Sequence, residues 1–330
     1  YNLGLVYFLQ DALFSTIYFS IFILSVFIGL NIKANQQKKI FNLFLAMLVF
    51  VGCISVLMAL NQRFMWLTSD LLFSMNYGNR ATANLAQPNQ LSTLLIISLF
   101  SLFYLYQNQK INKIMMYGVT LIFLIGIVMT QSRSAWASCI VLSVLYLYFY
   151  HRKTDVIHVL KLNTVFVGLT LNIPSLLNFL TSTQSSTAID RLQDGSTRFR
   201  IWPQLIHAAM NEPWTGYGWG QVSVAQLSTM TSQSTQGEWF TYSHNLFLDI
   251  MLWNGLIFGT VISLLIIYLL YHCYVNLKSK QDLLLFLGFM AFFVHSCLEY
   301  PYAYTYLLIP SGIFLGYISY QQQLKKGVVC

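Results

Sequence analysis

Residues 114–131 read IMMYGVTLIFLIGIVMTQ, eighteen consecutive positions without a charged side chain. A helix needs roughly 20 mostly apolar residues to cross the hydrocarbon core of a bilayer, and this run is close to that length. The composition of the whole chain agrees, because 56% of its 330 residues are hydrophobic and only 8% are charged. Soluble proteins carry about 25% charged residues. The sequence therefore predicts an all-α, polytopic integral membrane protein and excludes a soluble or disordered chain.

Apolar windows of similar length recur along the chain and predict nine membrane spans. They cover residues 12–31, 40–60, 91–107, 114–131, 134–150, 162–180, 245–271, 282–299 and 302–320. These runs lack the ten-residue alternation that is typical of transmembrane strands. We predict one membrane domain over residues 1–330, with a large outer loop at 181–244 between the sixth and seventh spans. Since the first methionine is Met47, we also expect residues before Tyr1.

Basic residues are distributed unevenly between the two sides of the predicted membrane. Twelve of the 18, including all eleven lysines, lie on one side, and six arginines lie on the other. The positive-inside rule places the lysine side in the cytoplasm, so membrane topology accounts for the net charge of +8 and we expect no nucleic-acid partner. The outer arginines are Arg63, Arg80, Arg133, Arg191, Arg198 and Arg200. Because a guanidinium grips phosphate with two parallel hydrogen bonds, this set indicates an outer anion site, with chance retention as the alternative.

Arg133 is the strongest candidate for that site. It lies between the fourth and fifth spans, and its neighbours Gln131, Ser132 and Ser134 are small or polar and uncharged. A charge at such a depth costs a few kcal/mol or more unless it faces protein, water or a partner. The position of Arg133 therefore favours a functional role.

The large outer loop contains a second group of candidates. Residues 196–210 predict an amphipathic helix along the membrane surface, with Asp194 or Ser196 as its cap. Arg198 and Arg200 near its start could bind an anion or anchor the helix to lipid headgroups. The glycine-rich residues 213–220 are expected to let the backbone approach a ligand closely.

His244 is the candidate general base, because histidine transfers protons near neutral pH. It lies where the large loop re-enters the membrane, and a helix-capping role is the alternative. Asp249, five residues on, falls on a different helix face from His244. His295 and Glu299 are four residues apart, which predicts a supporting pair on one face of the eighth span. Neither the cysteines nor the acidic residues have metal-ligand spacing, so we expect no metal and no cofactor.

Four stretches of sequence, in this order, carry a resemblance to a known family. They are Asn84–Leu91, Gln131–Trp136, Arg198-x-Arg200-x-Trp202 with the glycine-rich residues 213–220, and Ser243–Leu248 with His295–Pro301. Together they resemble the bacterial O-antigen ligase and polymerase superfamily, and within it the O-oligosaccharyltransferases that glycosylate pilin-like proteins. Each motif alone is weak, whereas four in register over residues 76–310 are specific. Family members usually have more spans than nine, which agrees with the residues expected before Tyr1.

The resemblance implies an enzyme of the bacterial inner membrane whose active site faces the periplasm. Its donor would be an undecaprenyl-pyrophosphate-linked oligosaccharide, and its acceptor a Ser or Thr hydroxyl of a pilin-like protein. Arg133, Arg198 and Arg200 would bind pyrophosphate, and His244 with Arg133 would catalyse an inverting, metal-independent single displacement. His295 and Glu299 would support the catalytic residues. The residues expected to contact glycan or acceptor are Gln87, Asn89, Trp214, Tyr217 and Trp219.

Two alternatives stay open. An O-antigen ligase or polymerase would use the same chemistry on lipid A-core sugar or on a growing glycan. A flippase or transporter of lipid-linked sugars would need ionisable residues near mid-span, whereas the candidates cluster at the outer boundary. Asp249, about a turn inside the seventh predicted span, is the partial exception.

Overall fold

The computed structural model describes residues 9–68, 80–181, 198–230 and 239–323. Within these ranges the chain forms helices and no β-strand, which confirms the all-α class. Two short 3-10 helices, Ala83–Leu85 and Pro301–Ala303, accompany the α-helices. The α-helices are α1 Leu9–Ala34, α2 Lys38–Phe64, α3 Pro88–Gln107, α4 Lys113–Thr130, α5 Arg133–Phe149, α6 Lys153–Thr181, α7 Arg198–Asn211, α8 Val222–Ser228, α9 Leu246–Asn254, α10 Leu256–Val275, α11 Lys280–Ser296 and α12 Thr305–Gln323.

Six of the described helices are long and apolar enough to cross a membrane, namely α1, α2, α3, α4, α6 and α10. Helix α5 is apolar but only 17 residues long. The polytopic membrane class is thus confirmed, whereas the count of nine spans stays a prediction. The seventh predicted span differs most from the structure, because Gly255 divides it into the nine-residue α9 and the longer α10.

The chain divides into two compact units. The bundle unit comprises residues 29–194 and 278–295, and the loop unit comprises residues 1–28, 195–277 and 296–330. The bundle unit contains α2 to α6 and α11. The loop unit contains the described part of the large outer loop together with α9, α10 and α12.

In the bundle unit, α3 is the most buried of the candidate spans, and small residues allow its neighbours to approach closely. A Cβ atom at Gly126 of α4 would lie 2.6 Å from Val56 and 2.8 Å from Leu95. Ser98 of α3 donates a hydrogen bond to the Leu48 carbonyl of α2 at 2.9 Å. Small side chains at helix contacts are typical of membrane bundles, where close packing replaces the hydrophobic driving force.

A buried glutamine holds the segment that leads into α3. The Gln62 side chain is 7% exposed, and its Oε1 accepts from the N–H groups of Thr82 and Ala83 at 3.0 and 2.9 Å. Its Nε2 donates to Thr82 Oγ1 and to the Ala83 carbonyl at 3.0 and 2.9 Å. Three of these four hydrogen bonds satisfy backbone groups that would otherwise be costly to bury. They fix the chain just before the candidate residues Gln87 and Asn89.

The loop unit has its own apolar core, formed where α7, α8 and α9 meet. Helix α7 confirms the predicted helix, starting at Arg198 with Pro203 inside it. The apolar residues of α7 lie on one face of the helix, and this face packs against the rest of the loop unit. Packing within the protein is therefore sufficient to explain the amphipathic periodicity of this segment. The core residues are Ile201, Leu205, Ala208, Ala209, Tyr217, Val222, Ala225, Leu248, Leu252 and Trp253.

Candidate active site

His244 lies directly before α9 and is paired with Glu299. The distance from His244 Nδ1 to Glu299 Oε2 is 2.6 Å, and the histidine side chain is 21% exposed whereas the glutamate side chain is 4% exposed. An imidazole that donates Nδ1–H to a carboxylate keeps its Nε2 lone pair for proton transfer. The pair therefore combines a partly accessible base with a buried carboxylate that fixes its ring.

Aromatic rings surround the His244 imidazole. Tyr300 and Phe240 meet it edge to face, with ring centroids 4.9 and 5.9 Å away. Tyr242 stacks on Tyr300 at 4.9 Å with an angle of 8° between the two rings. Offset and edge-to-face contacts of this kind restrict ring rotation and exclude water from the faces that they cover.

The backbone of His244 has an unusual conformation, with φ of 60°. Residues other than glycine rarely adopt this left-handed backbone conformation, which costs of the order of 1 kcal/mol or more in conformational strain. Both neighbours are held by hydrogen bonds. The Ser243 carbonyl accepts from Trp202 Nε1 at 2.8 Å, and Ser243 Oγ donates to the Asn245 carbonyl at 2.9 Å. Asn245 in turn caps α9, because its Oδ1 accepts from the N–H of Phe247 at 3.0 Å.

Asp249 is fully buried beneath this turn, and its two carboxylate oxygens have different partners. Oδ1 accepts from the Ser243 N–H at 2.8 Å, and Oδ2 accepts from the Tyr302 hydroxyl. These two hydrogen bonds stabilise the buried carboxylate. The sequence gave no sign that the Asp249 carboxylate holds the backbone beside His244.

The predicted placement of His295 and Glu299 on one helix face is wrong. Helix α11 ends at Ser296, so Glu299 lies beyond it and the four-residue spacing does not apply. His295 is fully buried in the bundle unit, with Nδ1 2.7 Å from Thr93 Oγ1, whereas Glu299 pairs with His244 in the loop unit. Of the two predicted supporting residues, Glu299 is thus paired with the candidate base.

Arg133 is the first residue of α5, and its side chain is half-buried in the bundle unit. Ser132 caps this helix by accepting from the Ala135 N–H at 3.3 Å. Asn89 joins this junction to the start of α3, since its Oδ1 accepts from Ser132 Oγ at 2.8 Å and from Arg80 Nη2 at 3.1 Å. The structure thus brings the candidate Asn89 together with Arg80, which the sequence did not distinguish among the outer arginines.

Among the other outer arginines, the structure describes the side chain of Arg63 but not those of Arg198 and Arg200. Arg63 is 4% exposed and donates from Nη2 to Asn178 Oδ1 at 2.8 Å, which gives it a role in packing. Arg198 is the first residue of α7, but the side chains of Arg198 and Arg200 lie outside the described residues. The predicted caps Asp194 and Ser196, and the arginine at 191, also lie outside them.

The residues predicted to contact glycan or acceptor have varied environments. Gln87 caps α3 by accepting from the Gln90 N–H at 3.1 Å. Trp214 is 62% exposed, and Trp219 stacks on Trp253 with ring centroids 5.1 Å apart. Tyr217 differs from the prediction, because it is 7% exposed and belongs to the core of the loop unit. Its hydroxyl lies 3.1 Å from the Ala208 carbonyl and 2.9 Å from Ser228 Oγ, so the structure assigns it a packing role.

The glycine-rich residues 213–220 approach the break between α9 and α10. The Tyr217 N–H donates to the Leu252 carbonyl at 2.7 Å, and the Ile257 N–H donates to the Pro213 carbonyl at 3.0 Å. A Cβ atom at Gly216, where φ is 64°, would lie 2.4 Å from the backbone nitrogen of Gly255. These contacts satisfy backbone groups left without helical partners at the break. The close approach predicted for a ligand is made to the protein's own backbone.

Comparisons with known proteins agree with the motifs. A family model described as O-antigen ligase matches residues 118–264. The chain is 47% identical over 326 residues to a ComP-specific O-oligosaccharyltransferase of Acinetobacter baylyi (strain ATCC 33305 / BD413 / ADP1), and the match covers 98% of this chain and 59% of the relative. It is 33% identical over 337 residues to a general O-oligosaccharyltransferase of the same strain, with 97% of this chain and 58% of the relative covered.

These matches confirm the resemblance predicted from the motifs. The segment from residue 118 to residue 264 is thus similar to the O-antigen ligase family. Over nearly its whole length the chain is similar to two proteins named O-oligosaccharyltransferases. The chain spans less than two thirds of the length of either relative, 59% and 58%.

Proposed function

We propose that this chain is part of an O-oligosaccharyltransferase of the membrane. The enzyme transfers an oligosaccharide from undecaprenyl-pyrophosphate to a Ser or Thr hydroxyl of a pilin-like protein. The reaction takes place at the periplasmic face of the bacterial inner membrane. The observation that carries the proposal is the 2.6 Å contact between His244 Nδ1 and Glu299 Oε2, with the imidazole partly accessible and the carboxylate buried. The relationship to proteins named O-oligosaccharyltransferases supports the substrate class.

In this mechanism His244 is the general base. Its Nε2 takes the proton of the acceptor hydroxyl while the acceptor oxygen forms a bond to the anomeric carbon of the first sugar. The bond from that carbon to the phosphate oxygen breaks, and its electron pair leaves with undecaprenyl-pyrophosphate. Attack opposite the leaving group inverts the anomeric centre in one displacement. Glu299 holds the imidazole in one tautomer and stabilises the imidazolium that forms, as a buried carboxylate does in hydrolase triads.

The leaving pyrophosphate gains negative charge as the sugar departs. We assign its binding to Arg133, helped by Arg198 and Arg200. Arg133 supports this role by its place at the amino-terminal end of α5, where backbone N–H groups and the helix dipole also favour an anion. Preorganised positive groups at a developing anion are usually the largest single contribution to catalysis.

The main alternative is an O-antigen ligase or polymerase, which the family match over residues 118–264 favours. It would use the same base and the same donor class, with lipid A-core sugar or a growing glycan as acceptor. Only the identity of the acceptor separates it from protein glycosylation. The experiment must therefore read the product on each acceptor.

The test is a transfer assay with the purified protein, an undecaprenyl-pyrophosphate oligosaccharide and a pilin-like acceptor, read by intact-protein mass. We expect the acceptor to gain the mass of one glycan, and an acceptor with its Ser or Thr replaced by alanine to gain none. Glycan on core lipopolysaccharide, or glycan lengthened on its own carrier, would instead identify a ligase or a polymerase. No product on any acceptor would overturn the proposed transferase.

A second prediction concerns Arg133. We expect Arg133→Ala to slow transfer by roughly 10²–10³-fold, the usual effect of removing one preorganised donor at a developing anion. The transfer rate of Arg133→Lys should lie between those of Arg133→Ala and the unchanged protein, because lysine keeps the charge but cannot make two parallel hydrogen bonds. Lys278→Ala, which removes an exposed cation on the predicted cytoplasmic side, is the matched control and should transfer normally. Equal losses in the Arg133 and Lys278 variants would contradict an outer pyrophosphate site.

A further inference from the structure

The two members of the candidate catalytic pair lie on separate irregular segments. His244 comes just before α9, and Glu299 lies between the end of α11 and the 3-10 helix Pro301–Ala303. The two residues are 55 positions apart in sequence. Such segments move more than the helices that they connect. A contact of 2.6 Å between them therefore needs a tie that holds one segment against the other.

Asp249 makes contacts that provide this tie. Its Oδ1 accepts from the N–H of Ser243, the residue before His244, at 2.8 Å. Its Oδ2 accepts from the hydroxyl of Tyr302, three residues after Glu299. One carboxylate thus reaches both segments that carry the pair.

We propose that Asp249 is the positioning residue of the His244–Glu299 pair. It acts on the Glu299 segment through the hydrogen bond that it accepts from Tyr302. The kinetic consequence of this inference rests on the proposed function. Asp249 is not placed in contact with substrate, so its effect on transfer passes through His244.

The burial and backbone geometry support a positioning role over a purely packing role. Asp249 is 0% exposed, and burying a carboxylate is costly unless its partners satisfy it well. An apolar side chain could fill the same space, but it would leave the buried Ser243 N–H without its acceptor. The bond to Ser243 acts beside a residue with φ of 60°, a conformation that persists only where its surroundings enforce it.

The cleanest variant is Tyr302→Phe, because it removes only the hydroxyl and leaves the bond from Ser243 to Asp249. The second variant is Asp249→Asn, which has one acceptor oxygen where the carboxylate has two. A misplacement of about 1 Å can cost 10²-fold in rate, so we expect each variant to lower kcat by about ten- to a hundredfold with little change in the acceptor KM. The matched control is Tyr146→Phe, which removes another tyrosine–aspartate hydrogen bond, to Asp155 at 3.1 Å in the bundle unit.

A double-mutant cycle separates positioning from a general loss of structure. If Asp249 acts through His244, Tyr302→Phe combined with His244→Ala should transfer no more slowly than His244→Ala alone. A further loss in the double variant, equal to the loss in Tyr302→Phe alone, would overturn the inference while leaving the proposed function intact.

A spectroscopic measurement tests the same tie without any substrate. In the full chain labelled with ¹⁵N-histidine, a strongly hydrogen-bonded imidazole N–H gives a downfield proton signal, which His244→Ala and Glu299→Gln identify by removing it. We expect Tyr302→Phe and Asp249→Asn to shift or broaden that signal, and Tyr146→Phe to leave it unchanged. A signal that is unchanged in both loop-unit variants would overturn the inference. If transfer is absent in the unchanged protein, the proposed function fails and this signal still decides the positioning role.

Discussion

We expect His244→Ala to lower the rate of glycan transfer by roughly 10²–10⁴-fold, the usual contribution of a general base. The physical reason is that an unaided Ser or Thr hydroxyl holds its proton near neutral pH, and the variant has no group to accept it. The measurement is the initial rate of acceptor mass gain at saturating donor. A matched control is Lys278→Ala, and the amount of each variant in the membrane fraction shows whether insertion survives.

Glu299→Gln tests whether the carboxylate contributes to this base. Glutamine has nearly the same volume, but it is uncharged and can present an amide N–H to His244 Nδ1 in place of an acceptor. An imidazole held in the wrong tautomer has its proton on Nε2 and cannot accept another there. In serine proteases the equivalent change costs about 10⁴-fold, so we expect a loss of a similar order and no change in membrane level. Normal transfer by Glu299→Gln would mean that His244 works without the pair.

Much of the fold could be predicted from apolar runs and helix-capping residues. The apolar window 114–131 corresponds to α4, which begins at Lys113 after Asn112 accepts from the Met115 N–H at 2.8 Å. His244 could also be singled out, because it follows a long polar loop and precedes an apolar run. Signals of this kind are local, so a single sequence is sufficient to read them.

The partner of His244 could not be predicted, because it depends on where a helix ends. The spacing of His295 and Glu299 fits one helix face only while the helix continues, and α11 ends at Ser296. No proline follows within the next four residues and no glycine marks the end, so the usual stop signals are missing until Pro301. Contacts between residues 55 apart then follow from tertiary packing, which local periodicity does not specify.

The glycine-rich residues 213–220 make a close backbone approach, as the sequence predicts, and its partner in the structure is the protein's own backbone. Glycine at positive φ says that the backbone must turn and that a Cβ would clash, without saying with what. In the structure these residues contact the backbone at Gly255, where α9 ends and α10 begins. The sequence did not predict this break, because residues 245–271 are continuously apolar and were assigned to one span. A glycine inside an apolar run can therefore mark the end of a helix, at a point where another segment of backbone packs closely.

Gly255→Ala is expected to destabilise the folded structure strongly. Gly255 has φ of 82° and ψ of 156°, a region that is accessible essentially to glycine alone. An added Cβ would lie 2.5 Å from the Trp214 carbonyl carbon and 2.7 Å from the Pro213 oxygen, and both are backbone atoms that cannot rotate away. Backbone strain and the clash together should cost about 3 kcal/mol or more.

The measurement is the thermal unfolding midpoint of the protein in lipid nanodiscs, with hydrogen exchange at the Tyr217 N–H that bonds Leu252 at 2.7 Å. Gly168→Ala, in α6, is the matched control. An added Cβ there would have no neighbouring atom within 4 Å, and alanine has a higher helix propensity than glycine. We expect Gly255→Ala to unfold at a lower temperature, to lose protection at Tyr217 and to transfer poorly, because α9 carries Asp249 and begins beside His244. If Gly255→Ala were as stable as Gly168→Ala, the break between α9 and α10 would not require glycine, and the packing argument for residues 213–220 would fail with it.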